Sequence, residues 1–171
     1  MLKPLPNQVL IVDDDDGFTF LLQKALAKRG IYNVHSVKDG AEAIGYVAGV
    51  REYNNRKAFP LPELVLTDLR MAGTDGIEFL SWMQRNPPFD KMPVVVISGH
   101  DDREEIQKAR GLGALIFFRK PSTPEGLDDM VKELLTKWVE GGLVHKSDSA
   151  TIGSSLLNGL NSPKKASPDF L

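Results

Sequence analysis

Short apolar runs rich in β-branched residues alternate along this chain with apolar residues at helical spacing. That alternation is the sequence form of an α/β fold, because parallel strands need long crossover connections and helices supply them. Gln8-Val9-Leu10-Ile11-Val12 reads as the first strand, and Phe18, Leu21, Leu22, Ala25 and Leu26 follow it as the stripe of an amphipathic helix closed by Gly30. A weaker strand over 32–37 leads through Asp39-Gly40 into a second helix with Ala41, Ile44, Val47 and Ala48 apolar, expected to run on toward Arg56. Pro60 and Pro62 end that segment, since proline cannot continue a helix.

Leu64-Val65-Leu66-Thr67 is the third strand, and Gly73 and Gly76 bracket the loop before a helix in which Ile77, Leu80 and Met83 face inward. Val94-Val95-Val96-Ile97 is apolar throughout, as in the middle of a parallel sheet. A fourth helix from about Asp102 to Arg110 offers only Ile106 and Ala109 to a core, so it is expected to be the most mobile element. The fifth strand is Leu115-Ile116-Phe117-Phe118, and Leu127, Met130, Val131, Leu134, Leu135 and Trp138 line the last helix. The expected organisation is one domain over 6–140 and a flexible tail over 141–171, rich in Ser, Gly and Asn. Ile152, Leu156, Leu157 and Leu160 in that tail form a short stripe at helical spacing, read as without a specific partner or, as the alternative, as docking on the domain, a second copy or another protein.

Composition removes several classes of function. The chain has no cysteine, which excludes disulfide frameworks, thiolate zinc sites, iron–sulfur clusters and cysteine nucleophiles. A net charge of −2 gives no global attraction to nucleic acid or an anionic membrane, and the tail's Lys164-Lys165 is too little to bind DNA. No run of 18 apolar residues occurs and the N-terminus lacks a leader's apolar stretch, so a cytoplasmic location is expected.

In open α/β sheets the ligand crevice lies beyond the carboxyl ends of the strands. There the first strand ends in Asp13-Asp14-Asp15-Asp16, the third in Asp68, the fourth in Ser98 and the fifth in Lys120. Clustered carboxylates call for a hard cation, and Mg²⁺, held by carboxylates, a carbonyl, waters and a phosphate oxygen, fits best. A carboxylate beside that cation is placed as a nucleophile toward phosphorus, with an ammonium to neutralise the transferred group. Asp15 and Asp16 read as helix cap and surface charge. Phe117 reads equally as a fixed core aromatic or as a rotating one. His35, His100 and His145 share no ligand spacing and read as surface residues, while Trp82 and Trp138 read as core or interface.

Four motifs stand in order: Leu10-Ile11-Val12-Asp13-Asp14, Leu66-Thr67-Asp68-Leu69-Arg70-Met71 followed by Asp75-Gly76, Val96-Ile97-Ser98-Gly99, and Phe118-Arg119-Lys120-Pro121. Together they resemble the receiver domains of two-component response regulators. The resemblance implies a flavodoxin-like, doubly wound, five-stranded parallel sheet of order 2-1-3-4-5. It implies Asp68 as phosphoacceptor, Mg²⁺ bound directly by Asp14 and Asp68, through water by Asp13 and by the Arg70 carbonyl, and Ser98 as donor to a phosphoryl oxygen. It also implies Lys120 paired with Asp68 or the phosphoryl group, a cis Lys120–Pro121 bond and Phe117 as switch aromatic. Arg70 and His100, two residues after Asp68 and Ser98, lack a carboxamide or carboxylate to orient water, which implies slow autodephosphorylation.

The implied partners are a histidine kinase or phosphotransfer protein and a downstream protein, without direct DNA contact. The insertion 51–62 resembles single-domain receivers that accompany phytochrome-like kinases, and a homodimer is compatible with that likeness. Two rivals carry discriminators. An aspartate-nucleophile phosphatase needs a second aspartate where Arg70 stands, and a flavodoxin needs a phosphate-cradling loop where four aspartates stand. A phosphorylation-independent scaffold is the third alternative; intact Asp68, Ser98 and Lys120 argue against it.

Overall fold

The structure, a computed structural model, describes residues 1–143. The apolar stripe of the expected tail therefore lies outside the described residues. In chain order the elements are β1 (Val9–Val12), α1 (Asp16–Ala27), β2 (Val34–Val37), α2 (Gly40–Ala48), β3 (Leu64–Thr67), α3 (Gly76–Arg85), β4 (Val94–Ser98), α4 (Arg103–Gly111), β5 (Ile116–Arg119) and α5 (Pro124–Val139). The five strands form one parallel sheet of order β2-β1-β3-β4-β5, as expected.

β1, β3 and β4 are buried at every position, which is why they are apolar without alternation. Successive side chains point to opposite faces of the sheet and so split the interior in two. Val9, Ile11, Leu64, Leu66, Val95 and Ile97 meet the apolar faces of α1 and α5. Leu10, Val12, Val65, Val94 and Val96 meet residues of α2, α3 and α4, among them Val47, Phe79, Leu80 and Ala109. Each helix starts on a side-chain cap: Asp15, Asp39, Asp75, Asp102 and Thr123 accept from backbone N–H groups of the first turn. The caps place each helix start just beyond the carboxyl end of the preceding strand.

The structure departs from the sequence reading in several places. Leu21 is 49% exposed and Thr19 takes an inward position instead. α1 meets the sheet along Leu22, Ala25 and Leu26, and rotation about that line carries Leu21 off the buried stripe. α2 does not run toward Arg56 but ends at Ala48, where Gly49 adopts the left-handed φ of 68° and donates to Gly45 O and Tyr46 O. A 3-10 turn over Arg51–Asn54 follows. Phe79 joins Leu80 and Met83 in the core, while Ile77 is only half-buried. His35 is not a surface residue: its ring lies 5.5 Å from Tyr46 and 5.8 Å from Phe59, in a cluster completed by Tyr53. Trp138 is core, and Trp82 stacks on Phe89 at 5.6 Å. In α4, Ala109 is the sole fully buried residue.

Contacts of the compact unit reach past both ends of the expected 6–140 span. Lys3 N donates to Val139 O at 2.8 Å, Trp138 Nε1 donates to Pro4 O at 2.7 Å, and Leu143 joins the core on the α1 and α5 side.

The insertion 51–62 is held by Arg56, whose guanidinium donates to Tyr46 O at 2.7 Å, Val47 O at 2.6 Å and Phe59 O at 3.3 Å. Two of these are carbonyls at the end of α2: Tyr46 O also accepts from Gly49 N at 3.2 Å, whereas Val47 O lies in the last turn, where carbonyls lack intrahelical partners. Replacing Arg56 with alanine strands Val47 O in a half-buried place and takes a charged donor from the other two, and urea unfolding should show a loss of about 2 kcal/mol. An unchanged unfolding midpoint would mean that water replaces the guanidinium without cost.

Candidate functional site

β1, β3 and β5 end side by side with β4, and the residues just past their ends make the site. Asp13 N donates to Val37 O at 3.0 Å and Asp68 N to Val12 O at 2.9 Å, so the ladder pins both backbones one residue beyond the strands. Lys120 N donates to Ser98 O at 2.8 Å in the same way. The side chains converge: Lys120 Nζ lies 2.8 Å from Asp13 Oδ2 and 2.9 Å from Asp68 Oδ2. Asp13 and Asp68 are 4% and 6% exposed. Asp13 Oδ1 accepts from Asp15 N at 2.9 Å, and Asp68 Oδ1 from Leu69 N at 2.6 Å and Arg70 N at 3.3 Å.

Two buried carboxylates thus share one ammonium. Burial pushes the Asp13 carboxyl above its ordinary range, more than Lys120 and the Asp15 N–H pull it down. For Lys120, burial works to lower the pKa, but hydrogen bonds and charge from Asp13 and Asp68 outweigh it and raise the ammonium's pKa. The raised carboxyl has a consequence for stability. A group whose folded pKa exceeds its unfolded value supports the fold fully below the unfolded pKa and loses that support as pH rises through the folded one. At pH 7 the ionised Asp13 therefore costs stability, and Asp13→Asn in metal-free buffer should raise it. Thermal unfolding should show the gap between variant and wild type closing as pH falls through the acid range. A gap of the opposite sign would mean that the Lys120 pair more than offsets burial.

The other expected residues stand around this triad. Asp14 is exposed and its Oδ2 accepts from Ala72 N at 3.0 Å, tying β1 to the loop after β3. The Arg70 side chain turns away to α4, with Nε 3.2 Å from Glu105 Oε2 and Nη2 3.8 Å from Asp102 Oδ2. Ser98 is fully buried and its Oγ accepts from His100 N at 3.4 Å. Phe117 is half-buried and packed against the α2–α4 side of the core. The Lys120–Pro121 bond is not cis; the cis peptide bond among the described residues is Pro87–Pro88. X–Pro bonds favour trans by about 0.5–1 kcal/mol, and Lys120 reaches both carboxylates in that form.

Among the described residues no group of three acidic or histidine side chains stands close enough to hold a metal ion. The donor chemistry nonetheless suits a hard divalent cation: oxygen donors only, with two buried carboxylates against one ammonium. Sequence reasoning missed two partners. It placed Lys120 with Asp68 but not with Asp13, and it gave Phe18 only a place in a helical stripe, whereas Lys120 Nζ stands 4.8 Å from the Phe18 ring centroid. The acidic partners of Arg70 could have been suspected from the charge of the α4 first turn alone.

A family model described as response regulator receiver domain matches residues 9–132. Sporulation initiation phosphotransferase F of Bacillus subtilis is 32% identical over 129 residues, covering 75% of this chain and 94% of that protein. Response regulator Rcp1 of Synechocystis is 27% identical, covering 79% of this chain and 90% of that protein. Among solved structures, the phosphorylated cyanobacterial phytochrome response regulator RcpA superposes with a TM-score of 0.71 at 29% identity, over 77% of this chain and 93% of that one. The Mn²⁺-bound form of Rcp1 superposes with a TM-score of 0.68 at 27% identity, over 79% and 96%. Among the described residues no helix is long and apolar enough to cross a membrane.

Proposed function

We propose, from the premise that this chain belongs to the response regulator receiver domain family, that it is a two-component signalling switch which takes a phosphoryl group onto Asp68. One observation carries the reading: a buried aspartate at the end of a central strand, held by a lysine that also binds a second buried aspartate. An Asp68 carboxylate oxygen attacks phosphorus of a phosphohistidine on a histidine kinase or phosphotransfer protein. The P–N bond breaks, its electron pair stays with the imidazole, and an acyl phosphate is left on Asp68. Mg²⁺ would neutralise the meeting charges, held by Asp13, Asp14 and Asp68 and by the Arg70 carbonyl.

Lys120 and Ser98 then serve as donors to the phosphoryl oxygens. Ser98 is buried and among the described residues its oxygen accepts a long bond from His100 N without donating its own proton, which leaves the hydroxyl proton available. Phe117, half-buried beside β4, is placed to follow a shift of Ser98. The Arg70 guanidinium is engaged by Glu105, and neither Arg70 nor His100 carries an amide or carboxylate to orient water, which supports slow autodephosphorylation. Output passes through a downstream protein in the cytoplasm, and the chain acts as a signal carrier, not as a metabolic enzyme.

The test is intact-mass analysis after incubation with Mg²⁺ and acetyl phosphate, wild type beside Asp68→Asn. Wild type should gain one phosphoryl mass, Asp68→Asn none, and EDTA should abolish the gain. A wild type that binds Mg²⁺ yet gains nothing would leave the phosphorylation-independent scaffold.

A further inference from the structure

A closed circuit of contacts joins the first turn of α1 to the buried triad. Asp13 Oδ1 accepts from Asp15 N, and Asp15 Oδ1 accepts from Phe18 N at 2.9 Å. The ring of Phe18 lies under Lys120 Nζ at 4.8 Å, and Lys120 returns to Asp13 and Asp68. The Phe18 backbone is thus set by the same aspartate run that holds one of the carboxylates, and its side chain rests on the core cluster between α1 and α5. Nothing in the site as so far described uses this ring.

We propose that Phe18 is a positioning residue for Lys120, an inference that rests on the phosphoacceptor reading of Asp68. The face of an aromatic ring attracts a cation within about 6 Å through its quadrupole. Unlike a carboxylate, it does so without adding negative charge that would repel an incoming phosphoryl group. It also shields the ammonium from water on one side, so that the charge Lys120 presents to phosphoryl oxygens is less screened. Lys120 must let go of Asp68 when phosphorus arrives, and a ring that stays in place keeps the ammonium from swinging into solvent at that moment.

The test uses the full chain as wild type, Phe18→Leu and Phe18→Tyr. Leucine preserves apolar packing but has no ring face, while tyrosine keeps the face. In NMR spectra the Lys120 Cε protons should be displaced upfield by the ring in wild type and Phe18→Tyr and stand at their ordinary position in Phe18→Leu. With acetyl phosphate and Mg²⁺, a small donor that needs no protein docking surface, Phe18→Leu should be phosphorylated about threefold to tenfold more slowly and Phe18→Tyr at the wild-type rate. In a Lys120→Ala background, Phe18→Leu should bring no further loss, since the ring acts only through the ammonium.

An equal rate in Phe18→Leu, an equal loss in Phe18→Tyr, or a full further loss in the Lys120→Ala background would overturn the proposal and leave the Asp68 reading intact. A wild type that is not phosphorylated at all would bring down the Asp68 reading and this one with it. Should Phe18→Leu fail to fold, Phe18→Met supplies the second ringless variant, and the wild-type Lys120 resonance tests the ring contact without any substitution.

Discussion

Lys120→Met is expected to destabilise the protein by about 3 kcal/mol at pH 7, because removing one partner of a buried ion pair strands the charge it leaves behind. Here two carboxylates are stranded together, both nearly fully buried, and both lose the ammonium that pairs them. Burial and the nearby Asp68 charge already raise the Asp13 carboxyl, and without the ammonium nothing of that kind opposes them. The deficit should therefore shrink as pH falls into the acid range, since protonation of Asp13 then removes the repulsion in the folded state. Urea unfolding of variant and wild type at pH 7 and at mildly acid pH, without divalent metal, measures this. A deficit that does not narrow in acid would mean that Lys120 contributes packing and not charge balance. Wild type should hold its Lys120 contribution into strongly alkaline solution, because the raised ammonium pKa puts the loss above the ordinary lysine range.

The second large effect is expected at Gly76, the first residue of α3. A Cβ there would run into the Asp68 carbonyl oxygen and come within 2.8 Å of Leu69 Cα. Both are backbone, so no side-chain rotation relieves the contact. The position is further tied by Gly76 N donating to Leu69 O at 2.8 Å. Gly76→Ala must push α3 away from the loop that carries Asp68, at a cost of about 2–3 kcal/mol. Because the displaced carbonyl belongs to Asp68 itself, acetyl phosphate labelling should fall along with stability. Chemical denaturation and mass analysis on one sample separate the two. A stable variant with normal labelling would show that the helix start can slide without disturbing the site.

The cluster at the strand ends explains why these substitutions are costly while Asp13→Asn is expected to stabilise. Asp13 and Asp68 occupy places where a fold built for stability alone would put neutral groups. The excess negative charge is what a bound divalent cation would offset.

How much of this was legible beforehand depended on the range over which each feature is decided. Strand-and-helix alternation is set within a few residues, so the five strands, their helices and the residues at the strand ends could be read from Val9 to Trp138 without coordinates. The motif resemblance extended that to the sheet order and to Asp68, Ser98 and Lys120 as neighbours. What the tertiary structure alone decided involves angles and partners set by packing between distant segments. The rotation of α1 about its own axis exposes Leu21 and buries Thr19, and periodicity leaves such an offset of a fraction of a turn undetermined. Gly49 ends α2 locally, but the return of Arg56 to the carbonyls of its last turn is marked by no local pattern.

The same holds inside the site. That Lys120 spans Asp13 and Asp68 together, that Asp14 turns to Ala72, and that Phe18 lies beneath the ammonium all follow from the strand register and the seating of α1 beside α5. The amino-acid sequence by itself determined which chemical groups would reach the carboxyl edge of the sheet, since strand ends are local. Which of them touch was decided only when the sheet and helices packed, because a contact of about 3 Å between residues far apart in the chain depends on every rotation in between.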